Sequence, residues 1–137
     1  MNILLDTHIL IWSLANTKKL RPYEQTLLLS PHINIFVSVV SLWEISLKYS
    51  LGKLALHELD LPSLLNDVNT SNYTIITISP NEAVDFHKLS PSLNTDPFDR
   101  MLCWQAICNN YYFMSRDQKI KQYQGFGLKL VTKKLVL

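Results

Sequence analysis

One feature constrains the fold more than any other: short strand-like runs alternate with longer segments of helical period along the whole chain. The runs are "NILLD" (2–6), "INIFVS" (33–38), "YTIITI" (73–78), "YYFMS" (111–115) and "LKLVT" (128–132), apolar and rich in β-branched or aromatic residues. Between them, helices are expected over 8–15, 21–30, 41–54, 61–71, 80–89 and 96–110, with a short one over 116–124. Pro22 and Pro80 suit first helical turns, Gly52 suits a helix end, and Asp96 before Pro97 is the pattern of an N-cap followed by its first residue. Such alternation predicts an α/β fold, a three-layer sandwich with a mainly parallel central sheet and helices on both faces.

Composition sets the scale. With 137 residues and 47% hydrophobic content, residues 1–137 are expected to form one domain that buries its core without disulfides. A charged fraction of 18% and only three glycines argue against disorder. "MNILLD" carries no basic leader, and no run of about 18 apolar residues suits a membrane span, so a cytoplasmic protein without membrane contact is expected. Cys103 and Cys108, five apart on one helix, point in different directions and are expected to be buried, unpaired thiols.

The acidic residues carry the chemistry. In a parallel sheet, the carboxyl ends of strands and the amino ends of the next helices share one edge, where ligand sites form. Asp6 ends the first strand, Glu44 falls in the first turn of the helix after the second, Asp99 falls in the first turn of the 96–110 helix, and Asp117 lies just past the fourth strand. All four are aimed at that edge. The formal net charge is only +2, but gathering these acids in one pocket would leave the remaining surface distinctly basic, which suits a polyanion.

Each acid also has a structural explanation. Ser41 and Glu44 fit a capping box, Asp96 fits a cap, and Asp99 and Asp117 can complement helix dipoles. Asp6 alone has no evident cap or dipole role. Magnitudes bear on the joint reading. Two carboxylates about 6 Å apart repel by roughly 3 kcal/mol at an effective dielectric near 20, against about 0.3 to 1 kcal/mol returned by each helix-end effect. A cluster must therefore hold protons or a cation, and oxygen-only donors favour Mg²⁺ or Mn²⁺. That combination suits hydrolysis of a phosphodiester by metal-activated water.

Four segments in order, "LLDTHILIW", "SLWEISLKYSLGKL", "DPFDRMLCWQA" and "SRDQKIKQY", resemble the PIN-domain ribonucleases, in particular the toxin subunits of VapBC-type toxin-antitoxin modules. The resemblance covers nearly the whole chain. It implies a Mg²⁺- or Mn²⁺-dependent endoribonuclease, commonly a homodimer, silenced by a cognate antitoxin protein. Carried over, the family's acids fall on Asp6, Glu44, Asp99 and the more variable Asp117, as both catalytic and metal-binding residues, with Ser115 as the hydroxyl near the metal water. Asp96 then stands as a cap with a supporting role. Relatives often carry a His-Arg pair before "DPFDR"; here Asn94 and Thr95 stand there, which bears on the grip on RNA.

Lys48 and Lys53, on the Glu44 helix, and Arg100 and Arg116, each beside an acid, are candidate RNA contacts, with local charge balance as the alternative. His8 is left outside the catalytic set. Trp12, Trp43 and Trp104 read as core or dimer packing. Two other functions compete with the RNA-cleaving toxin: a PIN-fold nuclease of RNA processing or DNA without an antitoxin, and a non-catalytic interaction module. An aspartyl-phosphate enzyme is disfavoured, since the first-strand motif is Asp-Thr-His rather than Asp-x-Asp.

Overall fold

The structure is a computed structural model that describes residues 1–53, 59–89 and 95–136. Residue 54 of the expected 41–54 helix, and Asn94, lie outside the described residues. Five strands, β1 (Asn2–Leu5), β2 (Asn34–Ser38), β3 (Thr74–Ile76), β4 (Tyr112–Met114) and β5 (Lys129–Leu130), form one sheet in the order β3-β2-β1-β4-β5. Every pairing is parallel, with Ile3 opposite both Ile35 and Tyr112.

Six α-helices accompany the sheet among the described residues: α1 (Thr7–Ala15), α2 (Pro22–Leu29), α3 (Val39–Ser50), α4 (Leu64–Thr70), α5 (Pro80–Asp85) and α6 (Pro97–Asn109). The ends of the expected elements differ in informative ways. The 61–71 and 80–89 segments split into α-helix plus a single 3₁₀ turn, and the segment after β4 winds as a 3₁₀ helix over Gln118–Phe126. The last strand is reduced to Lys129–Leu130, at the sheet edge.

The strand period of two divides the core. Ile3, Leu5, Ile35, Val37 and Met114 pack with Ile9, Leu10 and Leu27 of α1 and α2, and with Leu64 and Val68 of α4. Leu4 and Phe113 face the other way, against Leu102, Cys103 and Ala106 of α6 and against Ile120 and Tyr123. Helix α3 serves both layers, since Val40 belongs to the second cluster and Ile45 to the first. It packs against both α1 and α6, so the residues it carries pass over the edge where β1, β2 and β4 end.

Strand order also fixes the site. The chain builds outward from β1 through β2 to β3, then crosses to the opposite side of β1 for β4. The order reverses between β1 and β4, and a crevice opens beyond the carboxyl ends of those strands.

Candidate active site

Asp6 is the first residue beyond β1. Its backbone N–H donates to the Met114 carbonyl at 3.0 Å, which keeps the ends of β1 and β4 together. Contrary to the sequence expectation, Asp6 does have a capping role. It is the N-cap of α1, and its Oδ1 accepts the Thr7 N–H at 2.7 Å. Its Oδ2 accepts the Ser115 hydroxyl at 2.5 Å, and the Ser115 oxygen in turn accepts the Asp117 N–H at 3.1 Å. The two strand exits are thereby tied through one hydroxyl. Asp117 caps the following 3₁₀ helix by accepting the Lys119 N–H at 2.9 Å.

Glu44 departs from its expected place. Ser38, extended at the end of β2, is the N-cap of α3 and accepts the Val40 N–H, so Ser41 is no cap and Glu44 lies in the second turn. The capping-box reading of Ser41 and Glu44 is therefore overturned. The Glu44 carboxylate, 2% exposed, accepts the Thr7 hydroxyl at 2.6 Å on Oε1 and the Lys48 ammonium at 2.5 Å on Oε2. Ser41 Oγ lies 3.0 Å from the same threonine hydroxyl. On α6, Asp96 caps as expected: its Oδ1 accepts the Phe98 and Asp99 N–H groups at 2.8 and 3.2 Å.

These segments surround one cavity of about 350 Å³, lined by Asp6, His8, Trp12, Glu44, Lys48, Asp96, Asp99, Arg116 and Asp117. All four sequence-derived acids reach it, and Asp96 does too. Ser115 reaches it through Asp6. Among the basic candidates Lys48 and Arg116 line the cavity, whereas Lys53 is exposed beyond the end of α3. Arg100 turns away, donating to the Leu89 carbonyl at 3.0 Å with its guanidinium over Phe86. Arg116 is committed as well: it forms a forked ion pair with buried Glu24, donates to the Lys19 carbonyl at 2.9 Å and lies over Trp12.

Sequence reasoning missed two of these parts, Thr7 and Glu24, and set two others aside, His8 and Trp12. Thr7 had a signal, a hydroxyl adjoining the first acid, but its partner lies 37 residues away. Glu24, in the first turn of α2, accepts the Arg21 N–H at 2.7 Å, and nothing local in the sequence marks its partner Arg116. His8 and Trp12 share the cavity face of α1 at the spacing of one turn. One packing expectation is corrected, since Cys108 is exposed rather than buried; Trp43, 61% exposed and set edge-on to Phe98, is outside the core, which leaves the dimer-packing half of its expectation. Trp104 is half-buried and donates to the Glu82 carbonyl.

Electrostatics follow from crowding acids under low exposure. Burial pushes the Asp6 carboxyl above its ordinary range, more than the Ser115 and Thr7 hydrogen bonds lower it. Beneath the site, burial pushes the Cys103 thiol up, and the charges of Asp6, Asp99 and Asp117 add to that effect. Burial works against the Lys48 ammonium, yet the hydrogen bond and charge of Glu44, with Asp96 and Asp99, hold it above the ordinary lysine range.

Whether these residues suit a divalent ion can be judged from the donors. As the side chains stand, no three Asp, Glu, His or Cys side chains converge on one metal position among the described residues, and Glu44 is turned to Lys48 and Thr7. By chemistry they fit: the cavity is lined by carboxylates without thiolate, and the buried Glu44 carboxylate there is balanced by a lysine ammonium. A second cavity of about 290 Å³, between α1, α2 and the start of β3, has no charged lining residue and offers no comparable chemistry.

Comparison with known proteins agrees with this architecture. Residues 3–125 match the PIN domain family. No curated protein sequence matches the chain. Among solved structures, VapBC2 from Rickettsia felis, bound to a DNA fragment from its promoter, is similar at 21% identity and TM-score 0.68, over 96% of this chain and 98% of that one. VapBC-1 from nontypeable Haemophilus influenzae is similar at 16% and 0.64, over 96% and 97%. DNA-bound VapBC from Salmonella typhimurium is similar at 16% and 0.61, again over 96% and 97%. At these identities the likeness is one of fold. The family match over residues 3–125, on an all-parallel sheet with acids gathered at its switch point, means that the chain belongs to the PIN domain family.

Proposed function

We propose that this protein is a metal-dependent endoribonuclease and the toxin of a toxin-antitoxin module, with residues 1–137 acting as one unit in the cytoplasm. One observation carries the reading: acids from four separated parts of the sequence line a single cavity, where a lysine ammonium pairs with one of them. Asp6, Glu44 and Asp99, with Asp117, would hold Mg²⁺ or Mn²⁺. Bound there, such an ion would acidify a water and stabilise the leaving oxygen of a phosphodiester.

The chain's own residues supply position. Ser115 and Thr7 fix the rotamer of Asp6 from opposite sides, and Thr7 also orients Glu44. Asp96 holds the first turn of α6 and so aims Asp99 at the cavity. Lys48 and Arg116 at the wall, and Lys53 farther along, are the phosphate contacts of this reading; Arg100, facing Phe86, is given no such role. A cognate antitoxin that covers the cavity and a homodimeric assembly complete the proposal, motivated by the VapBC complexes of similar fold.

The test is cleavage of a mixed RNA pool by the purified protein in EDTA, Mg²⁺ or Mn²⁺, beside Asp6→Asn and Asp99→Asn. The expected result is metal-dependent cutting, absent in both variants, that leaves 5′-phosphate ends. Cyclic 2′,3′-phosphate products would rule out water as the nucleophile. A folded protein that neither cuts RNA nor binds metal would favour the non-catalytic module, and cutting of DNA alone would favour the other nuclease reading.

A further inference from the structure

The acidic cavity already contains a cation of the chain's own. Lys48 follows Glu44 by one turn of α3, its Nζ is 2.5 Å from Glu44 Oε2, and its side chain is 32% exposed against 3% for Glu44. A Glu and Lys four apart are common on solvated helix faces, where the pair contributes little. Here the carboxylate is buried, its other oxygen is held by Thr7, and the ammonium lines a cavity with four more acids. That setting makes the ammonium part of the site's charge balance.

We propose that Lys48 is the resident counter-ion of the metal-free site, holding Glu44 until a divalent ion displaces it, so that metal binding is an exchange of ammonium for metal. The inference rests on the reading of the cavity as a metal site. Its physical reason is direct: with an ammonium 2.5 Å from Glu44 Oε2, a divalent ion at the same oxygen meets the repulsion of a second cation, so the two compete for that carboxylate. The attraction of Lys48 for Glu44 is therefore subtracted from that of the ion. The four-carbon stem lets the ammonium leave without any movement of α3.

The experiment measures Mn²⁺ affinity of the full chain by titration with detection of free Mn²⁺, comparing wild type, Lys48→Gln, Lys48→Arg and Asp6→Asn. Removing a unit charge a few ångströms from the ion, in a partly solvated site, is expected to lower the Kd of Lys48→Gln by about tenfold, with Lys48→Arg nearer to wild type. Lys48→Gln should also melt lower than wild type in EDTA and gain more from Mn²⁺. A second readout needs no variant: in ¹⁵N spectra the Lys48 ammonium resonance should shift when Mg²⁺ saturates the site. An unchanged or weaker Kd in Lys48→Gln, with binding lost in Asp6→Asn, overturns the exchange and leaves the metal site standing. A Lys48 resonance unmoved by saturating Mg²⁺ overturns it too. No Mn²⁺ binding by wild type overturns both the exchange and the metal reading.

Discussion

Asp6 has two roles that make opposite demands on its surroundings. As the cap of α1 and the acceptor of Ser115 it is locked in place, but its burial disfavours the charge that a metal ligand needs. An asparagine keeps an oxygen for the Thr7 N–H and carries no charge to desolvate. Asp6→Asn is therefore expected to melt above wild type in EDTA and to lose that advantage in Mg²⁺, which calorimetry in the two buffers would check. Tyr73 gives a separate pH signature. Burial raises its phenol above the ordinary value of 10.0, against a lowering by the Ser13 hydrogen bond. Just above pH 10 the unfolded chain has released this proton and the folded chain still holds it, so stability falls as pH rises through that window. Tyr73→Phe should make the decline shallower there in denaturant titrations and change little in slope near neutrality.

At the scale of elements, the starts of α3 and α6 aim the acids. Ser38 caps α3 and donates to Gln105 Oε1 at 2.5 Å, joining the start of α3 to the middle of α6 beneath the sheet edge. Ser38→Ala removes a cap and leaves a buried amide oxygen short of its donor, and urea unfolding should show a loss of about 2 to 3 kcal/mol. Asp96 and Asp99 separate by substitution with serine. Asp96→Ser keeps a capping oxygen and should stay within about 0.5 kcal/mol of wild type while still cutting RNA. Asp99→Ser should fold comparably yet lose cleavage, and equal activity of the two variants would remove Asp99 from the proposed set.

At the scale of the molecule, one ion pair ties the first helical layer to the exit of β4. Glu24 on α2 is 1% exposed and grips Arg116, 92 residues later, which in turn covers Trp12 and adjoins both Ser115 and Asp117. Removing one partner of a mostly buried pair leaves the other charge unsatisfied, and the 25% exposure of Arg116 softens that cost. Glu24→Ala should cost about 2 to 3 kcal/mol in chemical denaturation. Its residual activity, measured well below the melting point, should fall through loss of order at Ser115 and Asp117.

The sequence by itself determined whatever local chemistry dictates: strand runs alternating with helices, the Asp96–Pro97 start of α6, and acids at the ends of β1 and β4, since capping and periodicity act between near neighbours. It misplaced the start of α3, because Ser38 and Ser41 are both plausible caps and only the end of β2 chooses between them. Tertiary structure alone decided that β4 pairs with β1, that Thr7 meets Glu44, that Arg116 turns to Glu24, and that Lys48 faces four further acids across the cavity. Those partners come from separate elements or across a shared cavity, and distances between elements follow from packing two apolar clusters on opposite faces of a sheet, which no local pattern encodes.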